Sequence, residues 1–161
     1  MHKGLLLLAL SVSLAALPAA AKPTGELERN KQVARGFFED VLDKGRFDLY
    51  AQSHAKAFVV HARDHDASLA EDIAAAQEER KALPDMRVTV DQILAEHDLV
   101  AVHWTMSGTN TQAGMGFPAS GKKITTDGMT IFRFSAGKIS EEWSEWDMLS
   151  VMKQAGWLPA H

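Results

Sequence analysis

A carboxylate beside indoles is the arrangement in this chain that could do chemistry with the fewest helpers. Asp147 follows Trp143 and Trp146 at the end of an apolar-aromatic run. A carboxylate drawn out of water has its pKa raised, so near neutral pH it can take a proton and give it back. Regular strand alternation puts Trp143, Glu145 and Asp147 on one face, and a bulge would shift that register. The competing reading of Asp147 is a strand-end or helix-capping aspartate ahead of residues 148–155. His61, after Phe58-Val59-Val60, could orient a substrate oxygen or pair with Asp147, or bond to backbone as a loop histidine. Tyr50, the one tyrosine of the chain, could donate a hydrogen bond to an enolate oxygen, or simply pack or lie exposed.

Phe38, Trp104, Met106, Met129 and Trp143 could wall a cavity for a small apolar or aromatic ligand, and each serves equally well as plain core. Glu141, Glu142 and Glu145 form a charge-rich strand, with at least two of the three expected in solvent. The run His61-Ala62-Arg63-Asp64-His65-Asp66 has metal-ligand residue types, yet a metal centre needs three or four convergent donors. Neither a metal nor another cofactor is expected. The chain lacks a Gly-rich phosphate loop, a Gly-x-Ser-x-Gly elbow, a His-Glu-x-x-His helix and any cysteine. That removes phosphoryl transfer and thiol chemistry.

The elements that must position these groups follow from periodicity. Val33, Phe37, Phe38, Val41 and Leu42 paint one stripe of a helix from Glu28 to about Asp43, closed by Gly45. A short helix over Phe47–Ser53, a brief strand or turn over Ala57–His61 and a helix over Leu69–Leu83 come next. Asp66 or Ser68 caps the last of these and Pro84 stops it. The period then changes to that of strands, over Arg87–Glu96, Leu99–Thr111, Lys123–Phe134 and Lys138–Trp146. A final helical turn spans Met148–Ala155. Helices first and an antiparallel meander second make an α+β domain.

The N-terminus reads as an export signal. Lys3 precedes an apolar run from Leu5 to Leu17, and Ala19-Ala20-Ala21 offers a cleavage site. Residues 22–161 are then the mature single domain, exported to the periplasm or beyond and free of the membrane. The whole chain has 17 basic and 21 acidic side chains, a net charge of −4, and losing Lys3 makes it one unit more negative. A nucleic-acid partner, which would need clustered Lys and Arg, is not expected.

Five segments resemble the SnoaL-like polyketide and ester cyclases: Asn30–Gly45, Leu83–Asp91, Val100–Thr111, Gly116–Ile124 and, most telling, Phe132–Asp147 with its Glu-Glu-Trp-Ser-Glu-Trp-Asp ending. The resemblance implies the nuclear-transport-factor-2-like cone, a curved antiparallel sheet wrapped around N-terminal helices with an internal pocket. It implies a cofactor-independent cyclase or isomerase using aldol-type acid–base chemistry, with Asp147 as the acid–base group and His61 in the place of a relative's histidine. Asn110 stands where many relatives carry histidine. Family members often pair through the outer sheet face, which implies a homodimer. A non-catalytic ligand-binding module of the same fold is the alternative.

Overall fold

The computed structural model describes residues 24–158 except Met115, so the expected export signal at 1–21 lies outside the described residues. Helix α1 (Thr24–Gly36) runs directly into a π-helical turn at Phe37–Leu42. The wider turn seats Phe37, Phe38 and Val41 together in the core. Gly45, at φ +68°, ends it in the left-handed region that glycine adopts without penalty. The Arg80 guanidinium donates to the carbonyls of Leu42 and Asp43 at the end of this turn, filling the role of a C-cap. A 3-10 turn, Phe47–Leu49, leads to α2 (Tyr50–Ser53) and then β1 (His54–His61).

The strand β1 begins three residues earlier than its sequence suggests. It is followed by a three-residue strand, β2 (Asp66–Ser68), with no signal of its own. Ser68, rather than Asp66, caps α3 (Leu69–Ala82): its hydroxyl accepts from the Glu71 amide while Glu71 accepts from the Ser68 amide. The meander matches its expected limits closely, as β3 (Arg87–Glu96), β4 (Leu99–Thr109), β5 (Lys123–Ser135) and β6 (Lys138–Trp146). Helix α4 (Met148–Ala155) closes the described chain.

The six strands form one sheet in the order β2-β1-β6-β5-β4-β3. The expected antiparallel sheet is in fact mixed, because β1 runs parallel to β6. The helices cover one face, and the core gathers there around Phe37, Phe38, Phe132, Val100, Val102 and Ile139. Leu94, Leu99, Met129 and Ile131 stay exposed, and pairing with Arg133 or Trp143 across the strands places Leu99 and Ile131 on the opposite, outer face. Among the described residues no helix is long and apolar enough to cross a membrane.

One irregularity decides which side chains of β6 look inward. Arg133 pairs with Glu141 but Phe134 pairs with Ile139, so Ser140 is an extra residue in β6. Such a bulge reverses the alternation beyond it. Directly opposite residues share a face, and Glu142, Ser144 and Trp146 lie opposite the buried Phe132, Thr130 and Gly128. Trp143 and Glu145 therefore face outward with Ile131 and Met129.

Candidate active site

Between the helices and the inner sheet face lies a cavity of about 300 Å³. Its apolar walls are Phe37, Phe38, Trp104, Met106 and Trp146, together with Val60 and Val88. Trp104 lies flat across β5 because residue 128 is glycine: a Cβ there would sit 2.3 Å from the indole. The indole N–H donates to Thr130 Oγ1 at 3.0 Å, and Thr130 in turn bonds Ser144 at 2.8 Å.

The polar wall is acidic. α3 brings Asp72 and Glu79, seven residues apart and so on one helix face, with Ala75 and Ala76 leaving room between them. β6 brings Glu142. Burial, reinforced by the charge of Asp72, pushes the Glu142 carboxyl up to about 8. Burial pushes Glu79 up to about 7, with Arg80 opposing the shift. Asp72 is also raised by burial, and the hydrogen bond it accepts from the Tyr50 hydroxyl opposes this. Tyr50 itself is held firmly protonated by its own burial and by Asp72.

His54 stands behind them. Its ring is buried to 2% exposure between Phe37, Tyr50 and Phe58. Burial lowers its pKa to about 4, so the imidazole is neutral. Nδ1 lies 3.0 Å from both the Tyr50 carbonyl and the Ser53 hydroxyl. The carbonyl can only accept and Ser53 gives its own proton to that carbonyl at 2.9 Å, which places the ring proton on Nδ1 and the lone pair on Nε2. That Nε2 has no hydrogen-bond partner, and neither has Glu142 Oε2. One ring nitrogen of His54 and one oxygen each of Asp72 and Glu142 lie within 4.8 Å of one another, a three-donor group with room for a small cation.

This site differs from the one expected. Asp147 is exposed, lines neither this cavity nor the smaller one beside it, and caps α4 by accepting from the Ser150 amide at 2.8 Å. The burial expected for it is absent because the Ser140 bulge turns Trp143 and Glu145 outward and the strand ends at Trp146, leaving Asp147 as the N-cap of α4. His61 borders the cavity mouth, but its ring stacks on Trp143 and bonds Glu141 at 2.8 Å and Asp66 at 3.1 Å. Those carboxylates, Glu141 first, hold it above the usual histidine range. His61 and Asp147 are thus not brought together.

Of the expected cavity residues, Phe38, Tyr50, Trp104 and Met106 line it. Trp143 and Glu145 do not, and Met129 is 51% exposed. Asn110 is buried beside the smaller cavity, where it fastens the 111–121 loop by bonds to Gln112 and Ser120. In the 61–66 run, the side chains of Arg63, Asp64 and His65 are exposed and no three donors converge. Asp72, Glu79 and His54 were not singled out from sequence, and Glu142 was named only within the charge-rich strand, of which Glu145 alone is exposed. The i, i+7 spacing of Asp72 and Glu79 around Ala74-Ala75-Ala76 was a legible signal; nothing marked His54.

The same architecture recurs in known proteins. AclR from Streptomyces galilaeus superposes with a TM-score of 0.75 at 23% identity, over 83% of this chain and 99% of that one. A SnoaL-like protein from Jannaschia sp. CCS1 gives 0.75 at 21% identity, over 86% and 99%. TsrD from Streptomyces laurentii gives 0.71 at 19% identity, over 84% and 98%. Among curated proteins none matches. Likeness at this identity establishes the nuclear-transport-factor-2-like fold. The signature of the SnoaL-like polyketide cyclases matches residues 32–155, from within α1 through α4 and so across every strand and wall of the cavity. The chain belongs to the SnoaL-like polyketide cyclase family.

Proposed function

We propose that this protein catalyses ring closure or isomerisation of a small, largely apolar carbonyl compound by acid–base chemistry, with Glu142 as the proton-transfer group. The observation that carries this reading is the Glu142 carboxyl, facing the cavity with Oε2 unpartnered and pushed up to about 8. In its ionised form it removes a proton from carbon next to a carbonyl. The electron pair left behind forms the new carbon–carbon bond to a second carbonyl carbon, and the resulting alkoxide takes the proton back from Glu142. Glu79, pushed up to about 7, is a second proton site on the same wall and, while protonated, a donor to the enolate oxygen. The apolar walls keep water from the enolate.

The test is turnover on a panel of neutral dicarbonyl compounds. Glu142→Gln should lower kcat by about 100-fold or more, while Asp147→Asn should leave it within about twofold. Full turnover in the Glu142 variant overturns the assignment.

We propose two further properties. The Leu5–Leu17 run and the alanines after it support export, to be tested by N-terminal sequencing of the protein from a periplasmic fraction. Leu94, Leu99, Met129 and Ile131, exposed at 36% or more, support a homodimer through the outer sheet face. Sedimentation of Met129→Lys/Ile131→Lys should then show a monomer; a dimer of unchanged strength excludes that face.

A further inference from the structure

Two buried side-chain atoms, one on the acidic wall of the cavity and one just behind it, have no hydrogen-bond partner. His54 Nε2 and Glu142 Oε2 lack partners, and Asp72 receives only the Tyr50 hydroxyl. Two neighbouring donors are committed, the Tyr50 hydroxyl to Asp72 and the Trp104 N–H to Thr130. Three carboxyl groups, those of Asp72, Glu79 and Glu142, line the space, and no Lys or Arg does. A carbonyl compound alone brings acceptors, and leaves His54 Nε2 without a donor.

We propose that the ligand of this cavity carries a protonated primary or secondary amine on an apolar body, its N–H groups directed at His54 Nε2, Asp72 and Glu142. The spacing fits: one ring nitrogen of His54 and one oxygen each of Asp72 and Glu142 lie within 4.8 Å of one another, with the two carboxyls on the cavity wall and His54 just behind them, so one nitrogen placed among them can reach all three. The remaining walls also fit. Trp104, Phe37, Phe38 and Tyr50 present aromatic surface to a cation and to an apolar chain. A bare metal ion would satisfy the three donors but leave most of the 300 Å³ and its apolar lining unused. The alkylammonium uses both.

This deepens the proposed function by naming the charge of the compound that enters the same site. An ammonium beside Glu142 favours the ionised carboxylate, so the ligand itself would prepare the base. The inference concerns binding, however, and requires no turnover.

The test uses three probes of similar size on the purified chain, by calorimetry and Trp fluorescence: 2-phenylethylamine, 2-phenylethanol and 3-phenylpropanoate. The amine should bind about tenfold or more tightly than the alcohol, and the carboxylate not measurably. Glu142→Gln should lower the amine's affinity about tenfold with the alcohol's unchanged. His54→Phe, which keeps the ring and deletes the acceptor, should act in the same direction. Equal affinities for amine and alcohol in the wild type overturn the proposal, and that arm does not depend on any variant folding. Zn²⁺ or Mn²⁺ binding tightly while the amine shows no preference over the alcohol also overturns it, in favour of a metal. Loss of cyclisation in Glu142→Gln with no amine preference would leave the catalytic reading standing and remove this one.

Discussion

Replacing Glu142 by glutamine should change how stability depends on pH more than it changes stability itself. Burial raises the folded-state pKa from 4.5 to about 8, so the folded chain holds this proton more tightly than the unfolded chain does. The folded state is therefore fully favoured by this group below the unfolded value, and that contribution is lost as pH rises towards the folded one. The slope is about 1.4 kcal/mol per pH unit for one group. Between about pH 5 and 8 the wild type should lose roughly 2–4 kcal/mol through Glu142, after allowing for relaxation of the site and the influence of Asp72. For a domain of this size that is about 5–15 °C in Tm. The amide of Glu142→Gln does not titrate. The variant should melt close to the wild type near pH 5 and well above it near pH 8. Differential scanning calorimetry across that range is the assay. Parallel pH profiles for the two proteins would refute the reasoning, because a carboxyl that ionises as in water gives no such slope.

Other consequences are more local. Gly128→Ala puts a methyl 2.3 Å from the Trp104 ring, so it should cost about 1–3 kcal/mol in urea unfolding and weaken binding in the cavity. Asp147→Ala removes the acceptor for the Ser150 amide and should cost about 1 kcal/mol, with catalysis unaffected. Tyr50→Phe leaves Asp72 without its buried donor and should cost about 1–3 kcal/mol by chemical denaturation.

The sequence made most of the fold legible because β4 and β5 alternate cleanly, β3 and β6 are rich in strand-forming residues, and turns such as His97-Asp98 and Ala136-Gly137 punctuate them. β2 was invisible because three residues carry no period. The parallel pairing of β1 with β6 is a long-range fact that no local pattern encodes. The site was only half legible. Phe38, Tyr50, Trp104 and Met106 line the cavity, where the apolar stripe of the first helical segment, the short α2 and the regular β4 carry them. The cavity face of β6 was shifted by one bulged residue: Ser140 turns Trp143 and Glu145 outward and brings Glu142 and Ser144 to the inner face. Bulges have weak sequence signatures, and a single extra residue suffices to move every later side chain to the other side of a sheet. His54 escaped notice because its importance lies in an acceptor left unpaired, which only the packed structure reveals.

The central claim is that Glu142 keeps its proton in the cavity at neutral pH. A ¹³C NMR titration of the side-chain carboxyls, with the Glu142→Gln variant for assignment, addresses it directly. One glutamate resonance with a midpoint near 8, absent from the variant, is the predicted result. A wild-type spectrum in which the resonance lost in the variant titrates in the ordinary carboxylate range would contradict it.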